Sequence, residues 1–182
     1  YSYGTTRSKP EPATLEHVTL AVADAAAGKT GAEQAGALVR GVELAKEWGN
    51  RPANHATPTL LAQAARDLAR GAAVRCEVLG PSQIQRLGMG SFLAVAQGSA
   101  QPARFIVLQY SGTAKAEAPV VLVGKGITFD TGGISLKPAA EMDEMKFDMS
   151  GAGSVLGTMR ALAGMKAPVN AIGLVAACEN MP

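Results

Sequence analysis

Residues 123–138 read VGKGITFDTGGISLKP, and this stretch sets the architecture that we expect for the whole chain. The apolar run 120–123 that leads into it has the composition of a buried strand, and a glycine-rich segment follows where that strand is predicted to end. This segment holds Lys125, Asp130 and Lys137 among four glycines. Glycine adds no side-chain bulk, so a ligand could approach these two amines and one carboxylate closely.

Helices and strands are predicted to alternate on both sides of this stretch. A helix running to about Trp48 begins at a T-x-x-E capping box formed by Thr30 and Glu33, and a second helix begins at Thr57-Pro58. The other predicted segments are strands at 17–23, 74–79, 104–110 and 169–178 and helices at 81–87, 139–145 and 151–162. This alternation indicates an α/β protein, a three-layer sandwich with a mixed, mostly parallel central sheet, whose ligand sites lie at the carboxyl ends of strands.

Composition and charge argue against several classes of protein. With 182 residues, 47% of them hydrophobic and 18% charged, the chain has the composition of a globular domain and not of a disordered segment. A net charge of +2 does not indicate nucleic-acid binding, and every apolar run is far shorter than the roughly 20 residues of a membrane-spanning helix. No signal-peptide pattern is present, so we expect a cytoplasmic location without a membrane partner.

Asp130 and Asp148 are the carboxylates that matter most for chemistry. Asp148 follows Asp130 by 18 positions, which lets the chain leave and return, so both could face one pocket and bind a hard divalent cation. One lysine could be a neutral amine ligand, deprotonated by the cation, while a second kept its charge and stabilised an oxyanion. From spacing alone the alternative stays open that Asp130 forms a turn and that the lysines are solvated.

Three quoted segments resemble one known family. VGKGITFDTGGISLKP at 123–138 and MDEMKFDMSGAG at 142–153 resemble, almost residue for residue, the active-site segment of the leucyl aminopeptidase family, the cytosolic two-metal aminopeptidases. NRPANHATP at 50–58 resembles the family's N-x-P-x-N-x-x-T-P entrance to the catalytic domain, and VAACENMP at 175–182 resembles a later strand and loop. The likeness covers roughly residues 37–182.

The resemblance implies a role for five residues. Lys125 would be a neutral-amine ligand of one metal, Asp130 would contact both metals, and Asp148 would bind the same ion as Lys125. Lys137 would be the catalytic lysine. Met145 would line the pocket for a leucine-like first side chain, although a core methionine is an equally good interpretation. All five would then contact the substrate.

The resemblance also implies cofactors and partners. Such enzymes remove N-terminal residues from peptides with water activated by two divalent metal ions, here Mn or Zn, with a possible bicarbonate as general base. The family assembles as homo-hexamers.

The same resemblance divides the chain and identifies what it lacks. Residues 1–49 correspond to the tail of an N-terminal domain and a linker helix, and residues 50–182 to the first part of the catalytic domain. The family's N-T-D-A-E-G-R motif, with an Asp ligand, a Glu ligand and the Arg that holds bicarbonate, does not occur in the 182 residues. We therefore expect a truncated chain, cut at both ends. Two alternatives stay open: a catalytically incomplete fragment or scaffold of the oligomer, and the DNA-binding role of some bacterial members.

Overall fold

The computed structural model describes residues 1, 3–6, 14–70 and 73–182. Within them, as predicted, the chain is an α/β protein. Its α-helices are α1 (Ala25–Asn50), α2 (Pro58–Ala69), α3 (Pro81–Arg86), α4 (Gly90–Ala96) and α5 (Ser150–Met165); its strands are β1 (Val74–Leu79), β2 (Arg104–Ser111), β3 (Val120–Asp130) and β4 (Asn170–Asn180); 3-10 helices span Ala53–His55 and Met142–Met149. No helix in these described ranges combines the length and apolar character needed to cross a membrane.

The four strands form one mixed sheet in the order β1-β2-β4-β3. The β1–β2 and β2–β4 pairs are antiparallel, and the β3–β4 pair is parallel. The sheet is mixed, as predicted, but the expectation of mostly parallel pairing does not hold for these four strands. The reason is that α3 and α4 have only 6 and 7 residues. At about 1.5 Å per residue, neither helix carries the chain back along the roughly 20 Å of β1, so β2 starts at the end where β1 stops.

Two apolar clusters lie on opposite faces of this sheet. Side chains alternate along β2, so Ile106 and Leu108 belong to one cluster and Phe105 to the other. Helices α1, α2 and α5 contribute to the first cluster, and α3 and α4 to the second. The sheet is therefore the middle layer of a three-layer sandwich.

Two local predictions near the beginning of the chain were wrong. Helix α1 starts at Ala25, because the Asp24 carboxylate accepts hydrogen bonds from the backbone N–H groups of Ala26 and Ala27 at 2.9 and 3.1 Å. Thr30 lies inside the helix and donates its hydroxyl to the carbonyl of Ala26 instead. Residues 17–23 form no strand and are exposed, and they pair with none of the four strands of the sheet.

Strand β3 is longer than predicted and carries the quoted stretch to Asp130. Gly124 and Gly126 belong to the strand, where they permit close packing. A Cβ atom on Gly124 would lie 2.6 Å from the carbonyl oxygen of Gly151 in α5, and one on Gly126 would lie 2.8 Å from that of Ala176 in β4. The first turn of α5 therefore lies directly against β3.

Candidate active site

The candidate site lies at the carboxyl ends of the parallel strands β3 and β4. Lys125 and Asp130 are on β3, Lys137 is on the loop that follows, and Asp148 is in the 3-10 helix Met142–Met149 that leads into α5. Packing of α5 on β3 brings Asp148 to Lys125, since a Cβ atom on Gly151 would lie only 2.9 Å from the backbone nitrogen of Lys125. This end of the sheet is where α/β folds place ligands.

The Asp130 carboxylate is held by three donors. Its Oδ1 accepts from the backbone N–H of Gly132 at 2.9 Å and from Nδ2 of Asn180 at 2.7 Å, and its Oδ2 accepts from Nζ of Lys137 at 2.9 Å. Burial by itself would raise the pKa of Asp130, but the hydrogen bonds from Lys137, Gly132 and Asn180 outweigh it and lower the pKa from 3.8 to about 2. Asp130 is therefore ionised at neutral pH.

A tight turn after β3 brings Lys137 back to Asp130. Gly132 and Gly133 have φ angles of +92° and +67°, which favour glycine, and a Cβ atom on Gly132 would lie 2.4 Å from the carbonyl oxygen of Ser135. The backbone N–H of Lys137 closes the turn by donating to the carbonyl of Thr131 at 2.8 Å. Gly132 and Gly133 therefore make this turn possible, a role different from the close ligand approach that we inferred from the sequence.

Asp148 is only half satisfied. Its Oδ1 accepts from Nζ of Lys125 at 2.6 Å, whereas its Oδ2 is buried and has no hydrogen-bond partner among the described residues. A buried, unpaired carboxylate oxygen is unfavourable, and a cation beside it would remove that cost. The donor set of Lys125, Asp130 and Asp148 fits a divalent ion in this respect.

The structure brings together all five residues singled out from the sequence. Lys125 contacts Asp148, and Lys137 contacts Asp130. An interaction with Asp148 also contributes to lowering the pKa of Asp130. Nζ of Lys137 lies 3.0 Å from Sδ of the half-buried Met145. Across the described ranges, no group of three or more His, Cys, Asp and Glu side chains has the arrangement of a metal site. Any metal site must therefore use the lysine amine or further ligands.

Sequence analysis gave no role to Asn180, which the structure places directly beside Asp130. The register of the parallel β3–β4 pair sets Asp130 opposite Asn180. No local sequence signal identifies Asn180, because its place beside Asp130 depends on the register of two strands. The side chain of its neighbour Glu179 accepts a hydrogen bond from the hydroxyl of Ser99.

Comparison with known proteins gives a consistent result. A model of the cytosol aminopeptidase family, catalytic domain, matches residues 43–182. The probable cytosol aminopeptidases of Polaromonas naphthalenivorans and Variovorax paradoxus are 65% and 64% identical to this chain over 182 and 185 residues. Each match covers 100% of this chain and 36% of the relative, so the chain spans little more than a third of their length.

Solved structures of related proteins are also similar to this chain. The bottromycin maturation enzyme BotP is 37% identical, with a TM-score of 0.81, over 100% of this chain and 37% of its own. A structure of BotP in complex with Mn is 38% identical, with a TM-score of 0.76, over 89% and 34%. A cytosol aminopeptidase from Coxiella burnetii is 28% identical, with a TM-score of 0.77, over 83% and 33%.

Proposed function

The chain belongs to the cytosol aminopeptidase family, and from this premise we propose that its site takes part in the metal-dependent removal of leucine-like residues from the N-termini of peptides. The observation that carries the proposal is the buried Oδ2 of Asp148, which has no partner in the described part of the chain and lies next to a second carboxylate and two lysine amines. A divalent ion at this place would neutralise both carboxylates and remove the cost of burying the unpaired oxygen.

Lys125, Asp130 and Asp148 would hold two divalent ions together with ligands from outside these 182 residues. When bound, such ions act as Lewis acids and lower the pKa of water. Oxygen and amine ligands admit both Mn and Zn, and the Mn in the BotP complex favours Mn as the first ion to test. Lys125, whose side chain is 58% exposed, would have to release its proton and its contact with Asp148 to become a ligand.

Lys137 would bind the carbonyl oxygen of the scissile peptide bond. Its Nζ lies beside Asp130, and 36% of its side chain is exposed, so the ammonium group can reach a substrate that enters from solvent. A fixed positive charge at this position stabilises the negative charge that develops on the carbonyl oxygen during attack by water. The free α-amine of a peptide, in its neutral form, would be a further ligand for an ion held by Asp130 and Asp148.

Met145 would contact the first side chain of the substrate. It touches Lys137 and is half-buried, so an apolar thioether faces the place where the scissile bond would lie. An unbranched, polarisable side chain of this kind suits leucine-like groups. The bicarbonate expected from the family depends on an arginine of the N-T-D-A-E-G-R motif, and no residue of this chain is assigned to it.

A cytoplasmic homo-hexamer is the assembly that we propose on the family resemblance. Three apolar side chains of α1 are about half exposed, namely Leu38, Val39 and Val42. Leu38 and Val42 also line an apolar cavity of about 340 Å³ between α1 and α5. This surface is available for packing against further protein. Sedimentation of the protein at its native length tests the assembly.

The substrate proposal is tested with a pair of chromogenic substrates and a pair of variants. The protein at its native length should hydrolyse leucine p-nitroanilide and leave N-acetyl-leucine p-nitroanilide intact, because the proposed site needs a free α-amine. Asp148→Asn should reduce the rate at least about 100-fold, whereas Asp143→Asn, an exposed carboxylate in the same 3-10 helix, should leave it unchanged. Equal hydrolysis of both substrates, or equal rates for both variants, would refute the proposal.

A further inference from the structure

We propose that Asn180 is a positioning residue whose side-chain amide sets the orientation of the Asp130 carboxylate for metal binding. The inference rests on the proposed function, since it assigns Asn180 to the same site. No role followed for Asn180 from the sequence patterns, and the proposal stands on its contacts in the structure.

The side-chain amide of Asn180 donates a hydrogen bond to the carboxylate of Asp130. Nδ2 of Asn180 lies 2.7 Å from Oδ1 of Asp130, and the backbone N–H of Gly132 lies 2.9 Å from the same oxygen. A carboxylate oxygen has two lone-pair sites, so these two donors saturate Oδ1 and fix the plane of the carboxylate. Oδ2 then faces Lys137 and the rest of the site.

The backbone of Asn180, and not its side chain, joins the ends of β3 and β4. The backbone carbonyl of Asn180 accepts from both the N–H of Thr131 at 2.9 Å and its hydroxyl at 2.8 Å. These two bonds join the ends of β3 and β4 without the side chain. The amide of Asn180 is therefore left to orient Asp130.

The orientation of the Asn180 amide is itself fixed by packing. A Cβ atom on Gly133 would lie 2.8 Å from Oδ1 of Asn180, so the glycine loop passes directly over the amide. A side chain at position 133 would therefore clash with the Asn180 amide. The Asn180 amide thus lies between the glycine loop and the Asp130 carboxylate. Outer-shell residues that orient metal ligands are placed in the same way.

The test is the Mn²⁺ affinity of the protein at its native length, measured by calorimetry after the metal has been removed by chelation. Asn180→Ala should weaken Mn²⁺ binding about 10-fold or more, because Asp130 can then rotate away. Excess Mn²⁺ should restore much of the lost hydrolysis of leucine p-nitroanilide. Neither effect is expected from a residue that only stabilises the end of β4.

Asn170→Ala is the matched control. Asn170 is the same residue type on the same strand at its other end, and its amide donates to the carbonyls of Ala114 and Glu117 at 2.8 and 3.0 Å. This variant should lower the unfolding temperature and leave Mn²⁺ affinity unchanged. If Asn180→Ala is too unstable to purify, Asn180→Ser replaces it, since serine keeps a polar group too short to reach Asp130.

The outcomes separate the two proposals. Wild-type Mn²⁺ affinity in a folded Asn180 variant would overturn the positioning role and leave the proposed function intact. Equal loss of affinity in the Asn170 and Asn180 variants would also overturn it, since the effect would then be one of general stability. A wild-type protein that binds no divalent ion would overturn the proposed function and this inference together.

Discussion

Lys125 and Lys137 carry the same ammonium group in different surroundings. The Lys125 side chain is 58% exposed and pairs with Asp148, whereas the Lys137 side chain is 36% exposed and pairs with Asp130, of which only 12% is exposed. The Lys137–Asp130 pair therefore lies deeper, where water screens the attraction less. Under the proposed function, the more exposed Lys125 is the amine that would exchange its carboxylate partner for a cation, and Lys137 is the one that would stay beside Asp130.

Replacing Lys137 should reduce the chemical rate much more than substrate affinity. Lys137→Met keeps an unbranched side chain and removes the charge that would stabilise the developing oxyanion. We expect kcat for leucine p-nitroanilide to fall by about 100- to 1000-fold, with a much smaller change in KM, in steady-state kinetics. Lys115→Met, in the exposed loop before β3, is the control and should have wild-type kcat. An unchanged kcat in Lys137→Met would remove Lys137 from the reaction.

The Asp130 carboxylate should also make the stability of the metal-free protein depend on pH. Its pKa is 3.8 in the unfolded chain and about 2 in the folded one, so the folded state binds its proton less readily. The stabilisation is complete above about pH 4 and is lost as the pH falls toward 2. The pKa difference corresponds to about 2 kcal/mol.

Urea unfolding across this pH range measures the effect. The difference in unfolding free energy between wild type and Asp130→Asn should shrink by about 2 kcal/mol from about pH 5 to about pH 2. A difference that stays constant over this range would mean that Asp130 is not held by its three donors.

At the scale of elements, the site depends on how closely α1, α5 and β3 approach one another. A Cβ atom on Gly41 of α1 would lie 2.4 Å from the carbonyl oxygen of Gly157 in α5, and a Cβ atom on Gly157 would lie 2.4 Å from that of Gly41. The two helices therefore cross with their backbones in contact. Since α5 begins two residues after Asp148, its placement also sets the position of that carboxylate.

Substitution at this crossing should destabilise the fold. In Gly41→Ala the new methyl group meets backbone that cannot move aside, and we expect a loss of about 1–3 kcal/mol in unfolding free energy. In Gly31→Ala, on the same helix with nothing within 4 Å, the better helix former should stabilise the protein by up to about 1 kcal/mol. Thermal or urea unfolding of the two variants measures these changes. Equal changes in unfolding free energy for Gly41→Ala and Gly31→Ala would contradict the close crossing of α1 and α5.

The elements could largely be predicted from sequence, and the errors share a physical origin. Hydrophobic patterns located α2, β1, β2 and β4 to within a few residues, because local periodicity is set by burial. Gly124 and Gly126 were taken as loop residues, although they are strand residues that admit α5 and β4 at close range. That requirement comes from the packing partners, which the local pattern does not contain.

At the scale of the molecule, the site is assembled by the topology of the sheet. The parallel β3–β4 pair and the packing of α5 bring residues from positions 125 to 180 to one end of the sheet. Lys125, Asp130, Lys137, Met145 and Asp148 could be singled out because the string around them resembles a known family. Asn180 could not, because its partnership with Asp130 follows from strand register. The antiparallel β1–β2 pair was missed for a similar reason, since the short connecting helices decide the strand direction.

The measurement that most directly tests the central claim is a titration of the metal-free, native-length protein with Mn²⁺, with hydrolysis of leucine p-nitroanilide followed at each step. We predict no hydrolysis without metal and full activity at about two equivalents per chain, with Asp148→Asn needing a large excess. Hydrolysis by the metal-free protein at the wild-type rate would contradict the account.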